Sequence, residues 1–489
     1  MNLRGIGDWL AARGWSWGTV AEALAGLLAL GMAYPVVGRV YAVIEKRRDF
    51  PGDIEWMEGA TLVTAQRLVE GLPIYGEPAA DYIPFIYPPG FAWLVSKLGV
   101  DYATGRTLSA VCIVVAAAAL VYGARRLGTG WFAAFATAGL LAATYDDTGT
   151  FFDLVRTDSL ALALLGWSLV LGDGPTRAHT VASGLCLALA FTTKQHVALF
   201  GLPIGLWHWR VHGWRRAGTF ALASAVPALL FSGAMIVATE GRYFTWIARL
   251  ASSHGMVIDR LVPGAQVECW SALPWTTTAA LALPLWMVRK RYWTGVSITA
   301  LLVVSLMRGH TGGYLNVLMP LLWVQCLLPS VAAAAIGTPL ARTGASLFVA
   351  LQMWAVSEED LGRFVPSPAE AERVEALVEE LRALPDPILI PHAPWYAHLA
   401  GKKGSFALIT LWDIDHKGGA YRSFVDHVEG EMARGYWLTA VVPDDKLGHD
   451  FTEHFRKAHT LKTRPVPTKT GWPIRLRSVW TFRESGAAR

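Results

Sequence analysis

Residues 53–90 read DIEWMEGATLVTAQRLVEGLPIYGEPAADYIPFIYPPG, a polar and acid-bearing loop between two apolar runs of membrane-spanning length. Hydrophobic residues make up 53% of the chain and charged residues only 17%. A soluble protein of this size could not bury so much apolar surface. The composition therefore predicts a polytopic α-helical membrane protein in which this loop is held against the bilayer.

Apolar runs recur through most of the sequence before residue 357. We expect about eleven transmembrane helices, several of them shorter than the roughly 20 residues of a helix that stands along the bilayer normal. They lie near residues 20–43, 104–122, 130–145, 157–171, 180–191, 196–209, 217–238, 271–288, 292–307, 315–336 and 343–356. Residues 1–356 are thus predicted to form one transmembrane module.

Short basic loops set the expected orientation of these helices. Arginines lie between alternate spans, at residues 125–126, 177, 210–216, 289–291 and 342. The positive-inside rule places them in the cytoplasm. The N-terminus is then cytoplasmic, and the loop 44–103 and the C-terminal region lie outside the inner (plasma) membrane. Glu45–Arg48 is an exception on the outer side, where lipid headgroups, an anionic substrate or a basic helix end without a ligand would each account for it.

The sequence changes character after residue 356, where charged residues become frequent. Residues 357–489 are predicted to form a small extracytoplasmic α/β domain. Its expected elements are an amphipathic helix and a short strand up to residue 390, then a helix at 421–434, a strand at 436–442, a helix at 450–459 and a strand at 475–482.

Some classes of site find no support in the sequence pattern. The cysteines are scattered without paired spacing, so neither a disulfide framework nor a zinc site is indicated. The net charge of +5 is spread along the chain, and nucleic acid is not an expected partner, whereas membrane lipids are. A divalent metal stays open, because Asp146, Asp147 and Asp153 could bind one with Asp158 or Glu58 although no spacing demands it.

The start of the opening loop carries the first candidate site residues. Residues 54–70 have the pattern of an amphipathic helix that is too polar to span and lies on the membrane surface. Glu55 and Glu58 are three residues apart, so one helix face presents both. Asp53 could simply cap the helix, and Glu55 could simply be a first-turn acid that suits the helix dipole. For these two residues the structural and the functional interpretation are equally good. Glu58 lies beyond the cap, which favours a functional role.

The loop also resembles a known family. Glu58-Gly59, then Gly71, Pro73 and Tyr75, then Tyr87-Pro88-Pro89 are similar to the first outer loop of GT-C glycosyltransferases. These polytopic enzymes use polyprenyl-phosphate sugars and include protein O-mannosyltransferases and the lipid A aminoarabinose transferase. Many relatives carry an Asp-Glu pair where this chain has Met57-Glu58. The resemblance therefore implies a catalytic carboxylate that is either Glu58 or Asp53.

Later motifs follow the family in order. Arg156-Thr157-Asp158-Ser159 resembles the family's Arg-x-Asp, Thr193-Lys194-Gln195 resembles the lysine turn that meets the lipid phosphate, and residues 308–320 resemble the Gly-rich loop before a late span. The resemblance implies the following roles: catalysis by Glu58, Asp53 and Asp158, donor-phosphate binding by Lys194, Arg156, Gln195, Arg308 and His310, and substrate binding by Glu55, Tyr87 and Asn316.

The expected activity follows from this resemblance and from the chemistry of the residue types. A carboxylate can deprotonate an acceptor hydroxyl, and cations can hold the departing phosphate. We therefore expect a glycosyltransferase, inverting by resemblance, that moves a sugar from a polyprenyl-phosphate donor to a lipid, glycan or protein acceptor. A transporter or flippase of a lipid-linked or anionic substrate is the competing class, although the charges gather at one membrane face rather than at mid-span. A non-catalytic membrane scaffold is a third interpretation.

Overall fold

A computed structural model describes residues 12, 16–356, 359–415, 422–443 and 453–483. The part before residue 357 is a bundle of apolar helices. Its first nine helices are α1 (Trp17–Arg48), α2 (Glu58–Val69), α3 (Gly90–Leu98), α4 (Tyr102–Arg126), α5 (Trp131–Ala143), α6 (Asp158–Gly172), α7 (Arg177–Phe191), α8 (Gly201–His212) and α9 (Trp214–Ala238).

Short helical turns follow α9, and six further helices complete the bundle. These are α10 (Ala265–Ala272), α11 (Pro274–Leu281), α12 (Leu285–Arg289), α13 (Arg291–Gly309), α14 (Met319–Ile336) and α15 (Pro339–Ala355). Five helical stretches are long and apolar enough to cross a membrane, namely α1, α4, α9, α13 and α14 with the turn before it. The shorter α5, α6 and α7 are also apolar. A membrane protein is therefore confirmed in outline, while the number of about eleven crossings stays a prediction.

Local sequence explains where several of these helices begin. Ser16, Asp101, Thr176 and Thr338 each precede an apolar run, and each side chain accepts a hydrogen bond from a backbone N–H of the first turn. Small residues then allow close helix packing. A Cβ atom added at Gly139 of α5 would lie 2.5 Å from the Cβ of Ala33 in α1, so a larger residue would push these helices apart.

Three expectations for the helices need correction. The run 271–288 is three short helices, α10 to α12, because prolines interrupt it at Pro274 and Pro284. The run 196–209 begins as a 3-10 turn, Gln195–Phe200, before α8. The loop helix starts at Glu58 rather than at residue 54.

The C-terminal region contains the four-stranded sheet of the structure. Its elements are α16 (Pro368–Arg382), β1 (Ile388–Leu389), α17 (Trp395–Leu399), α18 (Leu408–Ile414), α19 (Arg422–Ala433), β2 (Thr439–Val442), β3 (Phe455–Thr460) and β4 (Ser478–Phe482). The strand order is β1-β2-β4-β3, with β1 and β2 parallel and the other pairs antiparallel. The helix predicted at 450–459 is wrong from residue 455 onward, because β3 pairs there with β4. Residues 450–452 and Tyr421 lie outside the described residues.

The helix α2 packs against the C-terminal region. Its first half is buried, and Leu62 and Ala65 pack with Phe91 and Trp395 in one apolar cluster. A Cβ atom at Gly59 would lie 2.7 Å from the Cβ of Trp395. The first half of α2 therefore joins the bundle to the C-terminal region, and its place at the membrane surface stays a prediction.

Candidate active site

Four ion pairs are buried together where α1, α4 and α6 meet the opening loop. They are Arg47–Asp153 at 3.1 Å, Arg106–Glu58 at 2.8 Å, Arg156–Glu55 at 3.2 Å and Lys194–Asp158 at 2.6 Å. Every one of these eight side chains is at most 7% exposed. Buried charges are costly unless they are paired or used, so this charged layer is the first candidate for a functional centre.

Arg47 belongs to Glu45–Arg48, the basic stretch on the expected outer side, and its partners lie within the protein. Besides its ion pair with Asp153, it donates a hydrogen bond to the hydroxyl of Tyr145 at 2.5 Å. Its partner is therefore a neighbouring loop of the protein, and the neighbouring Arg48 pairs with Asp49 at the surface.

Glu58 is the most fully bonded carboxylate of the layer. Its Oε1 accepts from Arg106 Nε at 3.0 Å and from the backbone N–H of Val155 at 2.9 Å. Its Oε2 accepts from Arg106 Nη2 at 2.8 Å and from the backbone N–H groups of Ile54 and Glu55 at 2.8 and 3.3 Å. Burial alone would raise the pKa of Glu58, but Arg106 and these hydrogen bonds hold it below its usual range.

This arrangement bears on the predicted base without testing it. A base needs a free lone pair, and both carboxylate oxygens of Glu58 already accept at least two hydrogen bonds each. Arg106, which the sequence reasoning missed, also donates to the backbone carbonyls of Arg47, Phe50 and Gly52 at 2.6–3.1 Å. A single arginine within the apolar run 104–122 was the available signal. The pair Arg106–Glu58 fixes the turn from which α2 starts.

Asp53 precedes α2, whose N-cap is Met57, and its side chain bonds the first turn of that helix. Its Oδ1 accepts from the N–H of Gly59 at 2.9 Å, in the first turn of α2, and from the hydroxyl of Tyr102 at 2.7 Å. Burial, then the charge of Glu58, raises its pKa well above the ordinary value. Its other oxygen has no partner among the described residues, and the carboxyl borders a cavity of about 340 Å³ that Tyr396 and Thr468 also line.

Glu55 differs from both of these acids. Its Oε2 accepts from Arg156 Nη1 and from the N–H of Met57, each at 3.2 Å. No hydrogen bond to its Oε1 is found in the described part of the chain. Burial raises the pKa of Glu55 to about 7, against the opposing influence of Arg156. Glu55 is thus a carboxylate that can take up or release a proton near neutral pH.

Lys194, Asp158 and Asn316 form a second contact group from three separate elements. Asp158 Oδ1 accepts from Lys194 Nζ at 2.6 Å and from Asn316 Nδ2 at 2.7 Å. All three side chains line a cavity of about 280 Å³ whose other walls include Leu162 and Pro320. The three motifs that carried the later part of the resemblance therefore meet in space.

A larger cavity lies on the other side of Arg156. Its empty volume, mouth included, is about 440 Å³, and it is mostly apolar. The residues that line it are Thr61, Thr64, Ile74, Tyr75, Tyr82, Phe85, Tyr87, Pro88, Pro89, Ala92, Arg156 and Thr157. Residues 156–158 thus border both cavities, with Arg156 and Thr157 lining the aromatic cavity and Asp158 lining the one that contains Lys194.

The Tyr-Pro-Pro turn closes tightly against the lysine-bearing turn. The N–H of Gly90 donates to the carbonyl of Thr192 at 2.9 Å, and a Cβ atom at Gly90 would lie only 2.7 Å from that oxygen. Gln195, a predicted phosphate ligand, donates its side-chain amide to the carbonyls of Ile86 and Ile247 at 2.9 and 3.3 Å. Its amide group therefore joins these segments.

Arg308 and His310 are not among the described residues that line these three cavities. Arg308 makes two hydrogen bonds to Glu268, at 2.8 and 2.6 Å, and one to the carbonyl of Gly313. The ring of His310 lies 4.8 Å from that of His254, which contacts the backbone carbonyl of Asp413 at 2.9 Å. The structure does not bring these two predicted phosphate ligands next to Lys194.

The acidic loop shows no assembled metal site. Asp146 pairs with Arg363, and Asp153 with Arg47. Burial and the charge of Asp146 raise the pKa of Asp147 to about 6. Within the described ranges, no group of three or more His, Cys, Asp or Glu side chains could hold an ion. A divalent metal stays an untested prediction.

The C-terminal region adds groups that the sequence analysis did not assign. Asp413 is buried, and burial raises its pKa to about 7 although Arg156 acts in the opposite direction. The N–H groups of Lys469 and Thr470 donate to the carbonyl of Ile54 at 2.8 and 3.2 Å, directly beside Glu55. Trp395 is buried and stacks on His398.

The helical bundle, the buried loop helix and the C-terminal sheet form a fold that resembles that of GT-C glycosyltransferases, with several helices apolar enough to span a membrane. Two solved structures carry this comparison: ArnT from Cupriavidus metallidurans bound to undecaprenyl phosphate, and the same protein in the apo state. The bound form has a TM-score of 0.55 at 14% identity, and the apo form 0.54 at 15%. Each alignment covers 94% of this chain and 99% of the other. ArnT is the lipid A aminoarabinose transferase, a GT-C glycosyltransferase.

These alignments confirm the GT-C resemblance at the level of the fold. The likeness extends over nearly the whole chain. Neither a family model nor a curated protein sequence matches the chain. The fold is therefore shown by structure, and the chemistry has to be argued from the site.

Proposed function

We propose that this chain is a membrane glycosyltransferase that moves a sugar from a polyprenyl-phosphate-linked donor to an acceptor hydroxyl. The observation that carries the proposal is the shared fold with ArnT, one structure of which is bound to undecaprenyl phosphate. The buried cations Lys194 and Arg156, each beside a cavity, add chemical support. Lipid, glycan and protein acceptors all fit this coarse statement.

The helix ends support an extracytoplasmic active site. The charged layer involves the start of α4 and the end of α1, whereas Arg125 and Arg126 lie at the other end of α4. A 25-residue helix is about 37 Å long, enough to separate the two ends by a bilayer. If the basic loops are cytoplasmic, the charged layer lies outside the membrane. With about eleven crossings, an odd number, the C-terminal region lies outside as well.

Lys194 and Arg156 are the proposed ligands of the donor phosphate. A sugar phosphodiester carries one negative charge, and cleavage of its sugar–oxygen bond leaves a phosphomonoester with about 1.5 to 2 negative charges. Cations that face this phosphate stabilise the transition state more than the bound donor, because charge develops as the bond breaks. Asn316 holds Asp158, and Asp158 in turn orients Lys194.

Glu55 is the proposed base, in preference to Glu58 and Asp53. It accepts the proton of the acceptor hydroxyl while the acceptor oxygen bonds to the sugar's anomeric carbon and the polyprenyl phosphate leaves with the electron pair. Its ion pair with Arg156 couples the two halves of the reaction. When Arg156 turns toward a phosphate, Glu55 loses its nearest cation, its proton affinity rises and it becomes a stronger base. Inversion of the anomeric centre would follow from this single displacement.

The proposal is tested with the purified full-length protein in proteoliposomes. It is incubated with a panel of radiolabelled polyprenyl-phosphate sugars and with a membrane extract that supplies acceptors. We expect label from one donor to appear on an acceptor, and a Lys194→Ala variant to lose this transfer. Movement of the intact donor across the bilayer without transfer would support a flippase instead. Absence of both donor binding and transfer for every donor would favour a scaffold.

A further inference from the structure

Three tryptophans from distant parts of the chain meet beside the proposed base. Trp56 follows Glu55, Trp412 lies in α18 and Trp472 follows Gly471. Their ring centroids are 5.6 Å apart for Trp56 and Trp412, 6.3 Å for Trp56 and Trp472, and 5.4 Å for Trp412 and Trp472. We call this group the tryptophan platform.

The platform directly adjoins Glu55. A Cβ atom at Gly471 would lie 3.1 Å from Glu55 Oε1 and 3.3 Å from the Trp56 ring. Gly471 also has φ of +71°, a backbone conformation that residues other than glycine rarely adopt. The backbone of residues 469–471 therefore lies against the carboxylate and places Trp472 one residue away from it.

The platform also has an accessible face. Trp56 is only 7% exposed and forms the buried side of the platform, whereas Trp472 is 44% exposed. Other exposed tryptophans, such as Trp354 of α15, lie on apolar helices of the bundle, where contact with lipid explains them. Trp412 and Trp472 belong to the C-terminal region, so the lipid explanation does not extend to them.

Such a surface suits a sugar ring. A pyranose has an apolar face of C–H groups that packs against an aromatic ring, while its hydroxyls stay free for polar partners. A platform next to a base would present one of those hydroxyls for deprotonation. A serine or threonine side chain of a protein acceptor has no such apolar face.

We propose that the tryptophan platform binds a sugar ring of the acceptor, and that the acceptor is therefore a glycan or the glycan head group of a lipid. This inference rests on the proposed function, because the bound sugar is an acceptor only if glycosyl transfer occurs. Carbohydrate binding by the platform can be measured without any donor. Residues 468–472 then select the acceptor in addition to covering Glu55.

The test is saturation-transfer NMR with the full-length protein in nanodiscs and no donor. The probes are maltotriose, chitotriose, mannotriose and a galactose trisaccharide, together with a threonine-containing peptide as comparison. We expect at least one trisaccharide to receive saturation at its C–H protons. In Trp472→Ala its affinity should fall roughly five-fold, in line with the loss of one aromatic contact. Trp472→Tyr should retain most of the affinity.

Trp354→Ala is the matched control, because it removes an exposed tryptophan from a helix of the bundle. It should leave trisaccharide binding unchanged, and binding of undecaprenyl phosphate should be equal in all variants. No binding of any trisaccharide, or binding unaffected by Trp472→Ala, would overturn the inference. Binding of the peptide alone would do so in favour of a protein acceptor. Trisaccharide binding without transfer from any donor would contradict the proposed function and leave the platform standing.

Discussion

Replacing Glu55 by glutamine separates the proposed base from its neighbour Glu58. Glutamine keeps the shape of the side chain and a hydrogen bond to Arg156, but it cannot accept the proton of a hydroxyl. Removal of a general base costs about 10²- to 10⁴-fold in rate, which corresponds to roughly 3 to 5 kcal/mol of transition-state stabilisation. Glu55→Gln should therefore bind donor and lose nearly all transfer per folded molecule, with some loss of stability because buried Arg156 loses its counter-ion.

Glu58→Gln is the comparison, and a different failure is expected from it. The structure gives Glu58 five donors, two of them from Arg106. Loss of its charge leaves Arg106 buried without a counter-ion, at a cost of about 3 to 5 kcal/mol of folding free energy. The variant should unfold at a clearly lower temperature, whereas the fraction that stays folded should retain turnover.

The assay combines transfer rates from a radiolabelled donor with thermal unfolding of the same detergent-purified samples. Transfer per folded molecule separates lost chemistry from lost protein. The reasoning is refuted if Glu55→Gln turns over like the unchanged protein. It is also refuted if Glu58→Gln is as stable as the unchanged protein yet inactive, because Glu58 would then be the base.

Three further outcomes follow. Lys194→Ala should weaken donor binding at least ten-fold, whereas Arg308→Ala, which removes a cation paired with Glu268, should not; equal losses in a donor-binding assay would contradict this assignment. The rate constant kcat/KM should fall about ten-fold per pH unit below the Glu55 pKa of about 7, because the base is active only when deprotonated. A pH profile of kcat/KM that is flat down to pH 5 would contradict Glu55 as the base. Gly90→Ala should destabilise the protein by about 1 to 3 kcal/mol, because the added methyl group would contact Thr192. Gly76→Ala should not, because the space around Gly76 is open. Equal unfolding temperatures for the two variants would contradict the close contact at Gly90.

The outline of the fold could be read from the sequence because long apolar runs and polar interruptions have direct physical meaning in a bilayer. The helices α1, α4, α6 and α7 occur within a few residues of the predicted runs. The broken run at 271–288 was missed because hydropathy alone does not register prolines that end a helix. The strand at 455–460 was missed because it depends on pairing with β4, which local sequence does not encode.

The candidate site was predictable in its residue types and less so in its roles. Lys194, Asp158 and Asn316 were expected from motif order, and the structure brings them together. The three acids of the opening loop could not be ranked from spacing, because their difference arises from distant partners. Arg106 saturates Glu58, whereas among the described cations Arg156 alone forms an ion pair with Glu55. Asp413 and Trp472 reach the site through the folding of a region far along the chain.

The central claim is that this protein cleaves a sugar–phosphate bond of a polyprenyl-phosphate donor. The most direct measurement is mass spectrometry of the lipid fraction after incubation of the full-length protein with the donor and membrane acceptors. We expect free polyprenyl phosphate to appear in equal amount to glycosylated acceptor, and Glu55→Gln and Lys194→Ala to abolish both products. Donors that bind and remain intact with the unchanged protein, whatever acceptor is supplied, would contradict it.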